Sequence, residues 1–134
     1  IIFPVHPRTL SSLRKFKFEK DILNNTNLIQ TGPLSYNDFL IHMKNSKFIV
    51  TDSGGIQEES TYLGVPCFTV RKNTERPITI SKGTNKLVKL EEVNSLLTKV
   101  KKKKIKISMW DGRTSLRILK FLEKIYCKDF TFEK

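Results

Sequence analysis

The sequence predicts an α/β fold with a Rossmann-like parallel sheet flanked by helices. Short apolar runs alternate along the 134 residues with segments that have the 3.6-residue spacing of helices, a pattern typical of repeated β–α units. Glycine and proline separate several of these segments, and most polar residues with ligand chemistry follow the apolar runs. Because a chain of this length fits one compact domain, we predict a single Rossmann-like domain over residues 1–134.

The predicted elements follow one another in the order of a β–α repeat. The strands are short and apolar, and they cover residues 1–5, 28–30, 48–50, 67–70 and 86–88. The helices cover residues 11–20, 36–44, 56–63, 78–82, 90–102 and, as the closing helix, about 114–127. Thr9, Ser11 and Ser12 are possible caps of the first helix, Ser35 is a good N-cap for the second, and Gly64 suits the end of the third. Within 56–63 the apolar residues have helical spacing.

The formal net charge of +12 is large for a chain of this size. Four consecutive lysines, Lys101 to Lys104, lie near the end of the helix predicted over 90–102, where cations suit the negative end of the helix dipole. No nucleic-acid-binding motif or stripe of basic and aromatic residues accompanies them. We therefore interpret the lysines as a solvated face and expect no specific nucleic-acid partner. No apolar run is long enough to cross a bilayer, so membrane insertion is not expected either.

The two cysteines, Cys67 and Cys127, are too far apart in sequence for a metal-ligand or redox motif. Cys67 lies in an apolar strand-like stretch, and we interpret it as a small core residue. A reducing cytoplasm is the expected location.

Polar side chains gather where the predicted strands end. His6 follows the first strand, Ser53 follows the third, and Arg76 lies in the polar loop after the fourth. In a doubly wound sheet, ligands bind at the carboxyl ends of the strands. The sequence therefore predicts one shared cleft at this edge of the sheet.

The turn at 52–55 is the strongest candidate for an anion site. A strand that ends in Ser53, Gly54 and Gly55 and leads at once into a helix presents backbone N–H groups at the helix N-terminus, a geometry that binds phosphate. The two glycines would also let a ligand approach the backbone closely. The alternative is an ordinary helix start that is capped by Asp52 or Ser53.

Candidate partners of a nucleoside diphosphate surround this turn in the predicted fold. Arg76 could neutralise the phosphates, or it could form a salt bridge with Glu75 or Glu58. Glu58 and Glu59 lie about 100° apart on a helix, so only one can readily face the cleft and accept the hydroxyls of a ribose. The alternative is a solvated acid in the first helical turn.

Two residues outside this turn have a weaker signal. Phe39 could stack on a base, although an aromatic residue at helical spacing is more often part of the core. His6 could donate to a phosphate or a sugar, and its alternative is a hydrogen-bonded structural histidine.

An ordered series of short motifs covers nearly the whole chain and resembles the C-terminal half of non-hydrolysing UDP-N-acetylglucosamine 2-epimerases. The two most specific motifs are Asp-Ser-Gly-Gly-Ile-Gln-Glu-Glu at 52–59 and Thr-Glu-Arg-Pro at 74–77. The others are Phe-Pro-Val-His-Pro-Arg-Thr at 3–9, Gly-Pro-Leu at 32–34, Tyr-Asn-Asp-Phe-Leu at 36–40, Gly-Val-Pro-Cys at 64–67, Gly-Thr-Asn at 83–85 and Trp-Asp-Gly-Arg at 110–113. Hydrolysing relatives tend to have a more serine-rich loop, so the two glycines favour the non-hydrolysing branch.

The resemblance implies that this is the second Rossmann-like domain of a two-domain, glycosyltransferase-B-like fold. The family interconverts UDP-N-acetylglucosamine and UDP-N-acetylmannosamine by eliminating UDP and adding it back on the other face. Carried over by motif, Ser53, Gly54 and Gly55 would bind the diphosphate, and Glu59 would bind the ribose. Phe39 would stack on uracil, while Arg76 and His6 would line the diphosphate and the sugar.

The resemblance also implies what this chain lacks. The acid and base carboxylates of the family lie in an N-terminal half that is absent, so we expect no catalytic residue here and expect the chain alone to be inactive. No metal or nicotinamide cofactor is implied. The expected partners are UDP-N-acetylglucosamine or UDP, the N-terminal domain of the same enzyme and, for a full-length protein, a second copy in a homodimer. The product would feed cell-surface polysaccharide biosynthesis. The alternative is a non-catalytic UDP-sugar-binding module or a nucleotide-binding domain of a glycosyltransferase.

Overall fold

The computed structural model describes residues 1–126, apart from the side chain of Lys99. The chain divides into two compact units, Ile1–Asn45 and the part that begins at Ser46. Parallel strands and flanking helices form each unit, which confirms the predicted α/β class. All five predicted strands are present, and each boundary lies within one residue of its predicted position.

The first unit pairs two parallel strands, β1 (Ile2–Pro4) and β2 (Ile29–Thr31). Helices α1 (Pro7–Lys15) and α2 (Glu19–Leu23) connect the strands, and α3 (Tyr36–Asn45) follows β2. The start of α3 is as predicted. The hydroxyl of Ser35 accepts the backbone N–H of Asp38 at 3.2 Å and donates to its carboxylate at 2.6 Å, which caps the helix in the expected way.

The predicted boundaries of the first helix are wrong at both ends. Helix α1 begins at Pro7, four residues before the predicted start, because the fixed φ of proline suits the first helical position. Nδ1 of His6 caps this start by accepting the N–H of Arg8 at 3.2 Å. The helix ends at Lys15, and Lys17 takes a φ of 61° before α2 begins.

The second unit contains a three-stranded parallel sheet in the order β3 (Ile49–Thr51), β4 (Cys67–Thr69) and β5 (Asn85–Leu87). Its helices are α4 (Gly54–Leu63), α5 (Pro77–Ser81), α6 (Val93–Leu96) and α7 (Thr114–Tyr126). The central strand β4 is buried throughout.

Two features of the second unit agree with the sequence analysis. Gly64 ends α4 with a φ of 71°, as its predicted left-handed position requires. Cys67 is fully buried, and burial raises the pKa of its thiol, so its predicted role as a core residue is confirmed. Phe68, Val88 and Val93 form one cluster of the apolar core.

The helix predicted over 90–102 is broken, so Lys101 to Lys104 do not lie at a helix end as expected. Short 3₁₀ turns, Leu90–Glu92 and Leu97–Lys99, flank α6, and helical structure ends there. The four lysines lie in irregular backbone and are exposed, which agrees with their interpretation as a solvated face. The N–H of Lys103 donates to the carbonyl of Gly64 at 3.0 Å.

The closing helix α7 carries an unusual amount of exposed apolar surface. None of its residues is buried, and the large apolar side chains that it exposes are Leu116, Ile118, Leu119, Phe121, Leu122, Ile125 and Tyr126. Cys127, the predicted end of this helix, lies outside the described residues. Among residues 1–126, no helix is long and apolar enough to span a membrane.

Candidate functional site

The turn between β3 and α4 leaves the first helical turn without a side-chain cap. Ser53 occupies the N-cap position with extended backbone (φ −84°, ψ 131°), but its side chain forms no capping hydrogen bond. Its backbone N–H donates to Oγ1 of Thr51 at 3.0 Å. Gly54 and Gly55 are the first two helical residues. The capped alternative is therefore not what is observed, and the N–H groups of this turn are available to an anion.

The two glycines of this turn have different surroundings. A Cβ on Gly54 would collide with Oε1 of Glu75, whereas a Cβ on Gly55 would have nothing within 4 Å. The carboxylate of Glu75 thus lies at the positive end of α4. Its pKa lies below the ordinary value because its own backbone N–H donates to it and because Arg71 and Arg76 are nearby. An anionic side chain therefore lies beside this turn and would repel a second anion there.

The sequence left open whether Arg76 pairs with Glu75 or Glu58, and the structure pairs it with Glu58. Its Nε lies 3.2 Å from Oε2 of Glu58, while Glu75 pairs instead with Arg71 at 3.1 Å. The Arg76–Glu58 contact lacks the alignment of a hydrogen bond, and within residues 1–126 the buried Nε has no hydrogen-bond partner. Both side chains of this pair are about 42% exposed, so the pair is weak and a ligand could displace it.

Glu59 differs from its neighbour Glu58. Both glutamates are half-buried on α4, but Glu58 contacts Arg76. The carboxylate of Glu59 has no ion pair or hydrogen bond with any residue of the described part of the chain. A partly buried carboxylate without a protein partner can accept hydrogen bonds from a ligand.

The buried face of α4 is polar, which the sequence analysis missed. Gln57, Ser60 and Thr61 are fully buried, whereas Ile56 and Leu63 are only half-buried. The helix predicted over 56–63 is present, but the side chains that it buries completely are polar. A signal was present, because positions 57, 60 and 61 have the spacing of one helical face. Gln57 and Thr61 find hydrogen-bond partners on neighbouring elements, whereas Ser60 donates to the Gln57 carbonyl within the helix. A helix pattern alone does not reveal these partners.

His6 and Phe39 lie in the first unit. His6 is exposed at the start of α1 and uses Nδ1 to cap that helix. This fits the alternative of a hydrogen-bonded structural histidine. Nε2 is the second polar atom of its ring. Phe39 is half-buried on α3, one turn after the more exposed Tyr36. Their roles in ligand binding stay predictions, as does the cleft shared with the second unit.

A family model described as UDP-N-acetylglucosamine 2-epimerase matches residues 1–123. The chain belongs to the UDP-N-acetylglucosamine 2-epimerase family. The resemblance drawn from the motifs is confirmed.

Relatives in this family are similar over most of the chain. The UDP-N-acetylglucosamine 2-epimerase of Methanocaldococcus jannaschii is 39% identical over 130 residues, which cover 91% of this chain and 34% of that protein. A UDP-N-acetylglucosamine 2-epimerase of Methanococcus maripaludis is 45% identical over 96 residues, which cover 72% of this chain and 26% of that protein.

Solved structures give the same picture. The crystal structure of the Methanocaldococcus jannaschii enzyme in complex with UDP-GlcNAc and UDP superposes with a TM-score of 0.80 at 37% identity. The match covers 92% of this chain and 35% of the crystallised one. The chain thus spans about a third of the length of these relatives.

Proposed function

We propose that the chain is the UDP-binding, C-terminal part of a UDP-N-acetylglucosamine 2-epimerase. Such an enzyme would interconvert UDP-N-acetylglucosamine and UDP-N-acetylmannosamine. Support comes from the family, from the share of each relative that the chain spans, and from a related structure that holds UDP-GlcNAc and UDP.

The observation that carries the proposal is the uncapped start of α4. Ser53 forms no capping hydrogen bond, and Gly55 has open space where a side chain would begin. The diphosphate of UDP would accept the N–H groups of Gly54 and Gly55, and the hydroxyl of Ser53 would donate to it. The buried Nε of Arg76, which lacks a hydrogen-bond partner within residues 1–126, would add a charge-assisted bond.

Glu59 would hold the ribose. A carboxylate can accept both hydroxyls of a ribose at once, and within the described part of the chain Glu59 has no competing cation. Glu58 is less suited to this role because it contacts Arg76. Phe39 would stack on uracil, and His6 would face the diphosphate and the sugar.

The proposed chemistry requires UDP to leave and return. Removal of the C2 proton and cleavage of the bond between C1 and the phosphate oxygen would give UDP and a 2-acetamidoglucal. The reverse addition, with proton return on the other face, would invert C2. Negative charge grows on the diphosphate as the bond breaks, and the α4 N-terminus with Arg76 would stabilise that charge. The residues that move the C2 proton would lie in an N-terminal domain outside this chain.

The exposed apolar face of α7 supports a protein partner. Residues such as Leu119, Phe121 and Leu122 are 42–62% exposed, and contiguous apolar surface of this kind usually marks an interface. We propose that the N-terminal domain of the same enzyme covers this helix and that the full-length enzyme is a homodimer.

The test compares two adjacent glutamates on one helix. Calorimetric titration of the chain with UDP is expected to show that Glu59→Ala weakens binding about 10- to 100-fold, the value of a hydrogen bond to a charged group. Glu58→Ala is the matched control and should leave the affinity unchanged or raise it, because it releases Arg76. Equal losses in the two variants would contradict the assignment of the ribose to Glu59.

A second measurement separates the epimerase from its alternatives. A full-length version of the protein is expected to epimerise UDP-N-acetylglucosamine at C2. Transfer of the sugar to an acceptor without epimerisation would place the protein among the glycosyltransferases, and UDP binding without either reaction would indicate a binding module.

A further inference from the structure

A buried chain of hydrogen bonds connects α4 to the loop that carries Arg76. Gln57 and Thr79 are fully buried, and Asn85 is 5% exposed. Oε1 of Gln57 accepts the hydroxyl of Thr74 at 2.6 Å and the side-chain amide of Asn85 at 3.0 Å. The same Asn85 amide donates to the hydroxyl of Thr79 at 3.1 Å.

The chain of hydrogen bonds ends on the backbone of Arg76. The hydroxyl of Thr74 accepts the Arg76 N–H at 2.9 Å, and the hydroxyl of Thr79 donates to the Arg76 carbonyl at 2.7 Å. The backbone N–H and C=O of Arg76 are thus both bonded to hydroxyls, and those hydroxyls are themselves held by Gln57 and Asn85. Arg76 itself has non-helical backbone (φ −121°, ψ 56°) immediately before α5, and its carbonyl also accepts the backbone N–H of Thr79 in that helix at 3.0 Å.

The hydrogen bonds run in one direction along this chain. Thr69 donates to Oδ1 of Asn85 at 2.6 Å, and the Asn85 amide N–H groups then face Gln57 and Thr79. With Asn85 in this orientation, rotating the Gln57 amide alone by 180° would set two NH₂ groups against each other. The buried Nε2 of Gln57 has no hydrogen-bond partner within residues 1–126.

We propose that Thr74, Thr79, Gln57 and Asn85 are positioning residues that hold Arg76 at the N-terminus of α4. The inference rests on the proposed function in one respect, since the consequence of this positioning is tighter binding of a nucleoside diphosphate. The loop residues Arg71 to Asn73 and Glu75 are exposed and contribute little packing. The hydrogen bonds of the network therefore connect this loop to the buried part of the unit. A guanidinium whose backbone is already fixed loses less conformational freedom when the ligand binds.

The test removes one hydroxyl and then restores it. Thr79→Val is expected to weaken UDP binding about fivefold, the value of one lost hydrogen bond, while Thr79→Ser keeps the hydroxyl and should stay within about twofold of the unmodified chain. Arg76→Ala removes the group that is being positioned. If the network acts through Arg76, adding Thr79→Val to Arg76→Ala produces no further loss.

Two outcomes of this cycle would overturn the inference. One is a loss from Thr79→Val that is as large in the Arg76→Ala chain as in the unmodified chain. The other is a Thr79→Ser variant as weak as Thr79→Val, which would show that the hydroxyl is irrelevant. Thr74→Val removes the second hydroxyl at a half-buried position and decides the matter if Thr79→Val fails to fold.

Hydrogen exchange separates this inference from the proposed function. Thr74→Val is expected to speed exchange of the Arg76 amide, whereas the Val70 amide, which donates to the Thr51 carbonyl at 2.9 Å, should keep its protection. Absence of UDP binding by the unmodified chain would refute the proposed function, and the exchange rates would still decide the positioning. An Arg76 amide that exchanges equally fast with and without the Thr74 hydroxyl would overturn it.

Discussion

A methyl group on Gly55 should stabilise the fold and weaken ligand binding at the same time. Gly55 is the second residue of α4, it is exposed, and nothing lies within 4 Å of the Cβ that Gly55→Ala would add. Its φ is not among the positive values of the structure, which among glycines occur at Gly64 and Gly112. Alanine therefore fits the native backbone at this position without strain.

The two effects have different magnitudes and opposite signs. Alanine is favoured over glycine in a helix by roughly 0.5–1 kcal/mol, which corresponds to a rise of about 1–4 °C in Tm for a chain of this size. The same methyl would stand in front of the N–H groups that the diphosphate is proposed to use. Loss of a hydrogen bond to a charged group is worth about 1.5–3 kcal/mol, or about 10- to 100-fold in Kd.

Thermal unfolding and calorimetric titration with UDP measure the two effects on one variant. Gly54→Ala is the comparison, because its methyl must first displace the Glu75 side chain and so should raise Tm less than Gly55→Ala does. A Gly55→Ala chain that is more stable and binds UDP with unchanged affinity would refute the proposal that the diphosphate approaches this backbone. A chain that is less stable would contradict the helical start at Gly54.

Two further predictions concern carboxylates. Glu75→Gln removes the like charge that lies at the α4 N-terminus and is expected to tighten UDP binding by only about two- to fivefold, because charges exposed to solvent interact weakly; unchanged calorimetric affinity would show that Glu75 does not compete with the ligand. The pKa of Asp111 is lowered, chiefly by the hydrogen bond from Arg117, so its contribution to stability is present above the unfolded pKa of about 3.9 and is lost as pH falls through the folded value. Asp111→Asn should therefore lower Tm at pH 7 and converge with the unmodified chain at acid pH; a constant difference would contradict the pairing.

The elements that the sequence predicted well are those whose ends are fixed by one residue. Ser35 begins α3 and Gly64 ends α4, and both act through their own side chain or backbone. The start of α1 was missed because three hydroxyl residues at 9, 11 and 12 resemble caps, whereas the proline at position 7 sets the first turn. Histidine is also an uncommon N-cap, so His6 did not indicate that the helix begins after it.

The ion pairs of the candidate site could not be read from the sequence. Glu75 is adjacent to Arg76 and Glu58 is distant from it in sequence, yet Arg76 contacts Glu58. The choice depends on the conformation of residues 71–77, and that conformation depends on buried contacts to Gln57 and Asn85. Gln, Asn and Thr are mostly surface residues, so the pattern gave no reason to place them inside.

The polar buried face of α4 also bears on the proposal that Glu59, and not Glu58, binds the ligand. A helix that buries apolar side chains is stabilised by the apolar surface area removed from water, and small rotations about its axis change that area little. Gln57 and Thr61 instead make directional hydrogen bonds. Gln57 accepts from the side chains of Thr74 and Asn85, and the hydroxyl of Thr61 accepts the Thr84 N–H at 3.4 Å. Directional bonds fix the rotation of α4 and therefore the direction of every first-turn N–H group.

The same constraint acts on the exposed side of the helix. With the rotation fixed, Glu58 and Glu59 cannot exchange places, because consecutive residues lie about 100° apart. Glu58 is directed to Arg76, and Glu59 keeps its carboxylate without a protein partner within residues 1–126. An apolar core under α4 would also hold the helix, but it would not by itself decide which of the two glutamates faces the proposed ribose site.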